Sequence, residues 1–228
     1  VTEAVRPTYD FALGDLAHEP SARGRIWREL LPGSRVLDVG CDTGRFGELL
    51  ARQRGAIVDG IERDRAAAEQ AERRLSRVWR RSLDEPGAFD GMGPYDAVLF
   101  LDVLEHLFDP WRVLEAARGV LRPGGVMHVV VPNVAHVSVV RRLMQGRFEY
   151  TDVGTMDRTH VRWFTRASIR ECFEQAGLMR VEVTAEPLVP HLDAGTKWGQ
   201  RAGRFLTAAL PDAFAGSLHA QGYAPVPG

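Results

Sequence analysis

Three carboxylates and two histidines stand in this chain at spacings that chemistry would use. Asp38, Asp42 and Glu62 flank a glycine-rich turn, Gly40-Cys-Asp-Thr-Gly44, and Glu62 falls 22 positions after Gly40. Glycine permits the positive φ and the close backbone approach that such a turn needs around a ligand. An acid about 20 residues beyond the turn suits ribose hydroxyls, because one carboxylate can accept from both. A ligand carrying a nucleoside is therefore expected. Its charge is read from Asp42, which stands where a dinucleotide fingerprint ending at Gly47 would have its first glycine. A carboxylate there opposes a pyrophosphate and favours a ligand with cationic groups.

Further along, Asp102-Val-Leu-Glu-His106 closes an apolar run, and His160 follows in Asp157-Arg-Thr-His160. The unperturbed pKa of histidine is about 6.5, which fits it to take a proton from a hydroxyl near neutral pH. His106, His160 and Glu105 are the candidate catalytic residues. The two histidines, 54 positions apart, are expected to meet across one cleft, as base and orienting partner. No metal is expected. The alternative is that Glu105, His106 and His160 hold a divalent ion, of the Mn or Zn kind rather than Mg given the imidazoles. Such an ion would lower the pKa of an acceptor hydroxyl.

The elements that must position these residues alternate. Apolar runs predict strands ending at Val39, at Glu62, over 78–84, over 95–102 and over 126–131. Helical spacing predicts helices over about 20–31, 44–54, 64–76, 110–121, 137–145 and 165–177, the last with Thr165 as N-cap and Gly177 at its end. Strands over 178–183 and 213–223 follow, with a helix or loop between 193 and 210. This β/α alternation predicts a doubly wound, mostly parallel sheet. Ligands bind such sheets beyond the carboxyl ends of the strands, where Gly40, Glu62 and Asp102 fall.

Asp38-x-Gly40-x-x-x-Gly44 resembles motif I of the class I S-adenosylmethionine-dependent methyltransferases. The segment from Asp102-Val-Leu-Glu-His-Leu-Phe-Asp-Pro110 through Arg122-Pro-Gly-Gly125 to Pro132-Asn133 is similar to the ubiquinone-type O-methyltransferases and their bacterial relatives. The likeness covers about residues 34–178 and extends to the Thr-His at 159–160. It implies a seven-stranded sheet closed by a hairpin, S-adenosylmethionine as cofactor and S-adenosylhomocysteine as product. The implied cofactor-binding set is Asp38, Gly40, Cys41, Asp42, Gly44, Glu62, Arg63, Leu83, Asp84, Leu101 and Asp102. Leu83 and Asp84 lie where the family reads adenine. Asp102-x-x-Glu105-His106 with His160 also resembles the metal cluster of the small-RNA 3′-end 2′-O-methyltransferases, which is the source of the metal alternative.

One domain is expected: an N-terminal helical segment (1–33), a cofactor-binding core (34–131), a substrate cap (132–164) and a C-terminal helix and strands (165–228). The cap is aperiodic and rich in aromatics, and Phe148, Tyr150 and Trp163 are expected to wall the acceptor site. A net charge of −1 gives no basic face for nucleic acid. Two cysteines, the lack of any run approaching 18 apolar residues and the lack of a leader-like start point to a cytoplasmic protein without membrane insertion. The expected activity is O-methylation of a small hydroxylated acceptor: a sugar, a phenol or a secondary metabolite. N-methylation of a small amine and a non-catalytic adenosylmethionine-binding domain are the alternatives. Asp42 opposes a nicotinamide dehydrogenase.

Overall fold

The computed structural model describes residues 16–187, 205 and 209–227. Seven strands form one sheet in the order β3-β2-β1-β4-β5-β7-β6. They are β1 Arg35–Val39, β2 Ile57–Ile61, β3 Arg77–Trp79, β4 Tyr95–Leu101, β5 Leu121–Pro132, β6 Met179–Pro187 and β7 Ala215–Tyr223. β7 runs antiparallel between β5 and β6, and the other neighbours are parallel. The doubly wound sheet expected from the alternation forms, with its closing hairpin.

The helices are α1 Ala22–Glu29, α2 Arg45–Arg54, α3 Arg65–Ala71, α4 Pro110–Arg118, α5 Val137–Met144 and α6 Arg166–Gln175. Side chains alternate across a strand, so each strand feeds two cores. Val36, Ala97 and Leu99 pack with Ile26 of α1 and with Phe46 and Leu50 of α2. Leu37, Val98, Phe100 and Val129 face the other way, toward Val113 and Leu114 of α4 and Ile169 and Phe173 of α6. Side chains set where helices begin: Asp64 accepts from Ala67 N, Asp109 from Arg112 N, and Thr165 forms a capping box with Ser168.

Boundaries depart from expectation where local hydrogen bonding overrides the apolar pattern. The strand expected over 78–84 ends at Trp79. Arg81 Nη1 gathers the carbonyls of Gly87, Ala88 and Asp90, and residues 82–92 fold into turns beside a strand that pairs only with β2. β5 starts early, because Leu121 already pairs with Tyr95 before the register slips past the Arg122-Pro-Gly-Gly125 turn. The helix expected over 64–76 stops at Ala71, and a helical turn, Pro211–Phe214, takes the start of the last predicted strand. The segment expected as helix or loop over 193–210 lies mostly outside the described residues, as do residues 1–15.

Asn133 sits fully buried where β5 hands over to the cap. Its Nδ2 donates to the carbonyls of Asp212 and Ala215, both at 2.9 Å, and its Oδ1 accepts from Ala135 N at 3.0 Å. One side chain thus ties β5, the cap and the entry to β7. Asn133→Leu leaves these groups unpartnered, at a cost of about 1–3 kcal/mol each. Thermal unfolding should move down by roughly 6 °C or more, with three such groups and about 2–4 °C per kcal/mol for a chain of this size. An unchanged melting temperature would show that the junction is held by something else.

Candidate functional site

The carboxyl ends of β1, β2 and β4 open onto a cavity of about 830 Å³, a volume in the range of small-molecule sites. β1 runs into Gly40 at φ 70°, where a Cβ would lie 2.7 Å from Val103 Cγ2. Only glycine closes this turn. Gly40 N and Cys41 N both donate to Ile61 O, at 2.8 and 3.0 Å, which ties the turn to β2. Asp42 follows at φ 47°, a left-handed conformation that aspartate tolerates better than most residues. Asp42 N donates to Glu62 Oε2 at 3.0 Å, and Asp64 N donates to Oε1 at 2.8 Å. Glu62 therefore braces the turn with both oxygens and keeps lone pairs for a ligand.

Acids crowd this end of the cavity. Asp38 is buried, and burial pushes its carboxyl up to about 7; the charges of Glu62 and Asp42 push the same way, and Arg23 opposes them. Arg23, from α1, lines the cavity and pairs with Asp102 Oδ2 at 3.6 Å. Asp102 itself is held at φ 59°, and burial raises its carboxyl against the pull of Arg23. Strained backbone of this kind collects at functional sites. Sequence reasoning missed Arg23. It precedes the glycine turn on a helix read only for its apolar side, and no motif spacing points to it.

The expected cofactor set lines the cavity with one exception. Gly44 does not; a Cβ there would lie 3.0 Å from Ala71 Cα, so this glycine lets α2 start against α3. Cys41 is present as a packing residue, its thiol pushed well up by burial. Leu83 and Asp84 are clipped to the loop before α4. Asp84 Oδ1 accepts from Phe108 N at 3.2 Å, and the Leu83 and Asp84 carbonyls accept from Arg112 Nη2 at 3.1 and 2.9 Å.

At the other end the two histidines meet. A short 3-10 turn, Leu104–His106, follows β4. Val161 N and Arg162 N donate to Glu105 O at 2.8 and 3.0 Å, which seats the cap against that turn. The rings of His106 and His160 consequently stand edge to face with centroids 4.8 Å apart. His106 Nδ1 lies 3.3 Å from Thr159 O and His160 Nδ1 lies 3.1 Å from Thr155 O. A carbonyl only accepts, so each Nδ1 carries the proton and each Nε2 keeps a lone pair. Burial, with His160 second, lowers the pKa of His106.

Glu105 joins them from beneath. Its carboxylate is 2% exposed and neither oxygen has a hydrogen-bond partner. Burial, with the Asp102 charge second, pushes it well above the usual carboxylate range. One ligand atom each from Glu105, His106 and His160 lie within 4.8 Å of one another.

The cap folds over this edge, and Asp152, Val153, Asp157 and Arg158 line the cavity with His160. The aromatic wall is elsewhere. Phe148, Tyr150 and Trp163 do not line the cavity. Phe148 packs edge-on against Tyr150 and Trp163, with centroids 5.4 and 5.7 Å apart, and Phe148 and Tyr150 stay half exposed.

A methyltransferase domain model matches residues 16–183. A ubiquinone biosynthesis O-methyltransferase of Caulobacter vibrioides is 36% identical over 105 residues, covering 44% of this chain and 42% of the relative. One from Xanthomonas campestris pv. campestris is 31% identical over 146 residues, covering 55% and 58%. The chain thus spans about half the length of these curated relatives. Among solved structures, a SAM-dependent methyltransferase from Archaeoglobus fulgidus superposes with a TM-score of 0.65 at 16% identity, over 89% of this chain and 91% of that one.

Glu62→Ala removes both the brace on the turn and the carboxylate expected to accept from ribose hydroxyls. A hydrogen bond to a charged group contributes about 1.5–3 kcal/mol, so calorimetry should show S-adenosylhomocysteine binding weakened about tenfold or more. NAD binding tighter than S-adenosylhomocysteine to the wild type would overturn the reading of the cavity.

Proposed function

The chain belongs to the methyltransferase domain family, and we propose that it moves a methyl group from S-adenosylmethionine to a hydroxyl of a small acceptor, such as a sugar, a phenol or a secondary metabolite. When bound, S-adenosylmethionine supplies an electrophilic methyl on a sulfonium. The cavity suits it: Asp38 and Asp42 offer negative charge to its cationic groups, Glu62 offers acceptors to ribose, and Arg23, one of five arginines lining the cavity, offers a cation to its carboxylate. Leu83 and Asp84 border the place for adenine.

The observation that carries hydroxyl as the acceptor is the histidine pair. A hydroxyl must lose its proton as it attacks, and two imidazoles with unprotonated Nε2 stand at the cavity wall. An amine acceptor would be nucleophilic once neutral and would ask less of them. The names of the curated relatives support the same choice. His106, half-exposed, is the residue nearer solvent and serves as base; His160, buried, orients it. Because the pKa of His106 is lowered from the ordinary 6.5, the base form already dominates at pH 7. Turnover should stay level through neutral pH and fall as pH drops through that lowered pKa.

One observation favours a second reading. A buried carboxyl without a partner lies beside two imidazole lone pairs, and either a proton held on Glu105, which burial favours, or a cation relieves acceptors that face one another. A divalent cation would satisfy all three, and Glu105, His106 and His160 would hold it. It would supply a lowered acceptor pKa in place of a base.

The two readings separate in one set of assays with product detection by mass spectrometry. Under the first, His106→Ala and His160→Ala each lower turnover by ~10²–10⁴, leave S-adenosylhomocysteine affinity nearly intact, and EDTA changes nothing. Under the second, EDTA abolishes turnover and Glu105→Ala is as damaging as His106→Ala. Full activity in both histidine variants would refute both.

A further inference from the structure

On the α1 side of the sheet, away from the acceptor, two more histidines are buried in contact. His128 of β5 and His219 of β7 are 0% and 1% exposed, with His128 Nδ1 3.1 Å from His219 Nε2 and the rings stacked at 5.3 Å. Arg25 Nε lies 3.4 Å from His219 Nδ1, and Glu29 Oε2 lies 3.8 Å from His128 Nε2. The direction of this chain is forced. Arg25 can only donate, so His219 Nδ1 accepts and His219 Nε2 carries the proton. That proton goes to His128 Nδ1, which leaves the His128 proton on Nε2, turned toward Glu29 at 3.8 Å, a charge contact too long for a hydrogen bond. Both ends of the relay are residues of α1, one helical turn apart. Glu186 of β6 pairs with Arg25 from the far side.

α1 is also the helix that delivers Arg23. Two positions before Arg25, Arg23 reaches Asp102 at 3.6 Å and sets the charge felt by Asp38. We infer that the Arg25–His219–His128–Glu29 relay is a positioning network: it fixes where α1 docks on the sheet and thereby holds Arg23 over the donor end of the cavity. The inference rests on the reading of that cavity as the donor site.

The relay works only with both imidazoles neutral, since a second proton on His219 would oppose Arg25 directly. The other charged and titratable groups around it are Arg28 on α1, Glu182 and Arg180 on β6, and Tyr223 on β7. Burial first and Arg25 with it hold His219 down at about 4, and burial first and His219 next hold His128 at about 3. Both lie below the ordinary 6.5, so the docked helix has its full advantage above about pH 6.5 and loses it as pH falls toward 4.

The test is a double-mutant cycle read by calorimetry with S-adenosylhomocysteine, together with amide hydrogen exchange across residues 22–29. His219→Leu should weaken binding about tenfold and expose α1 amides. His219→Gln, which keeps one acceptor and one donor, should recover most of both. In an Arg23→Ala background His219→Leu should cost no further affinity, because its effect runs through Arg23. In the wild type, lowering the pH from 7 to 5 should loosen α1 before the remaining helices, a measurement that needs no variant. Additive losses in the cycle, or α1 exchange unmoved by acid and by His219→Leu, would overturn the proposal. Absence of S-adenosylhomocysteine binding in the wild type would instead fail the reading of the cavity.

Discussion

Negative charge gathered in one buried place is the constraint on which the rest of this molecule depends. A parallel sheet brings the carboxyl ends of β1, β2 and β4 together, and this chain places Asp38, Asp42, Glu62 and Asp102 around them. Desolvation disfavours charge buried there, and like-charge repulsion adds to the cost. Asp38 shows it, with its carboxyl pushed up to about 7. Three things relieve the crowding. Backbone N–H groups of Asp42 and Asp64 donate to Glu62, Arg23 arrives from α1, and a ligand carrying cationic groups completes the set. A pyrophosphate would add to the charge; a sulfonium and an ammonium subtract from it.

The histidine side of the cavity follows a different logic. Its groups turn lone pairs toward one another, and burial favours a proton on Glu105. Thr159 and Thr155 carbonyls take the Nδ1 protons of His106 and His160, so that what remains toward the cavity is lone pairs. The backbone carbonyl of Glu105 meanwhile holds the cap strand through Val161 and Arg162. One residue thus supplies both the seat of the cap and the buried acid beneath the histidines.

Much of this was legible in the chain before any coordinates. Periodicity found all seven strands, and β1, β2, β4 and β7 nearly at their ends, because buried strands are close to continuous apolar runs. The glycine turn, Glu62, His106 and His160 stood out by residue type and spacing, and the structure brings Gly40, Glu62, His106 and His160 to one cavity. What escaped was set by contacts between distant segments. β3 is short because Arg81 captures carbonyls further on. Arg23 acts across a fold that brings α1 to β4. Phe148, Tyr150 and Trp163 looked like a pocket wall by composition, yet they satisfy one another. Gly44 belonged to the motif and serves helix packing instead. The His128–His219 relay joins residues 91 positions apart, and neither histidine carries a motif.

The charge-crowding account is tested most directly by proton linkage. Calorimetry of S-adenosylmethionine binding at pH 7, in buffers of different ionisation enthalpy, reports the protons exchanged. A carboxyl poised at about 7 should ionise as the cationic ligand arrives, so the wild type should release more protons than Asp38→Asn, with affinity rising as pH passes upward through 7. Equal proton exchange in the two proteins, with affinity independent of pH, would contradict it.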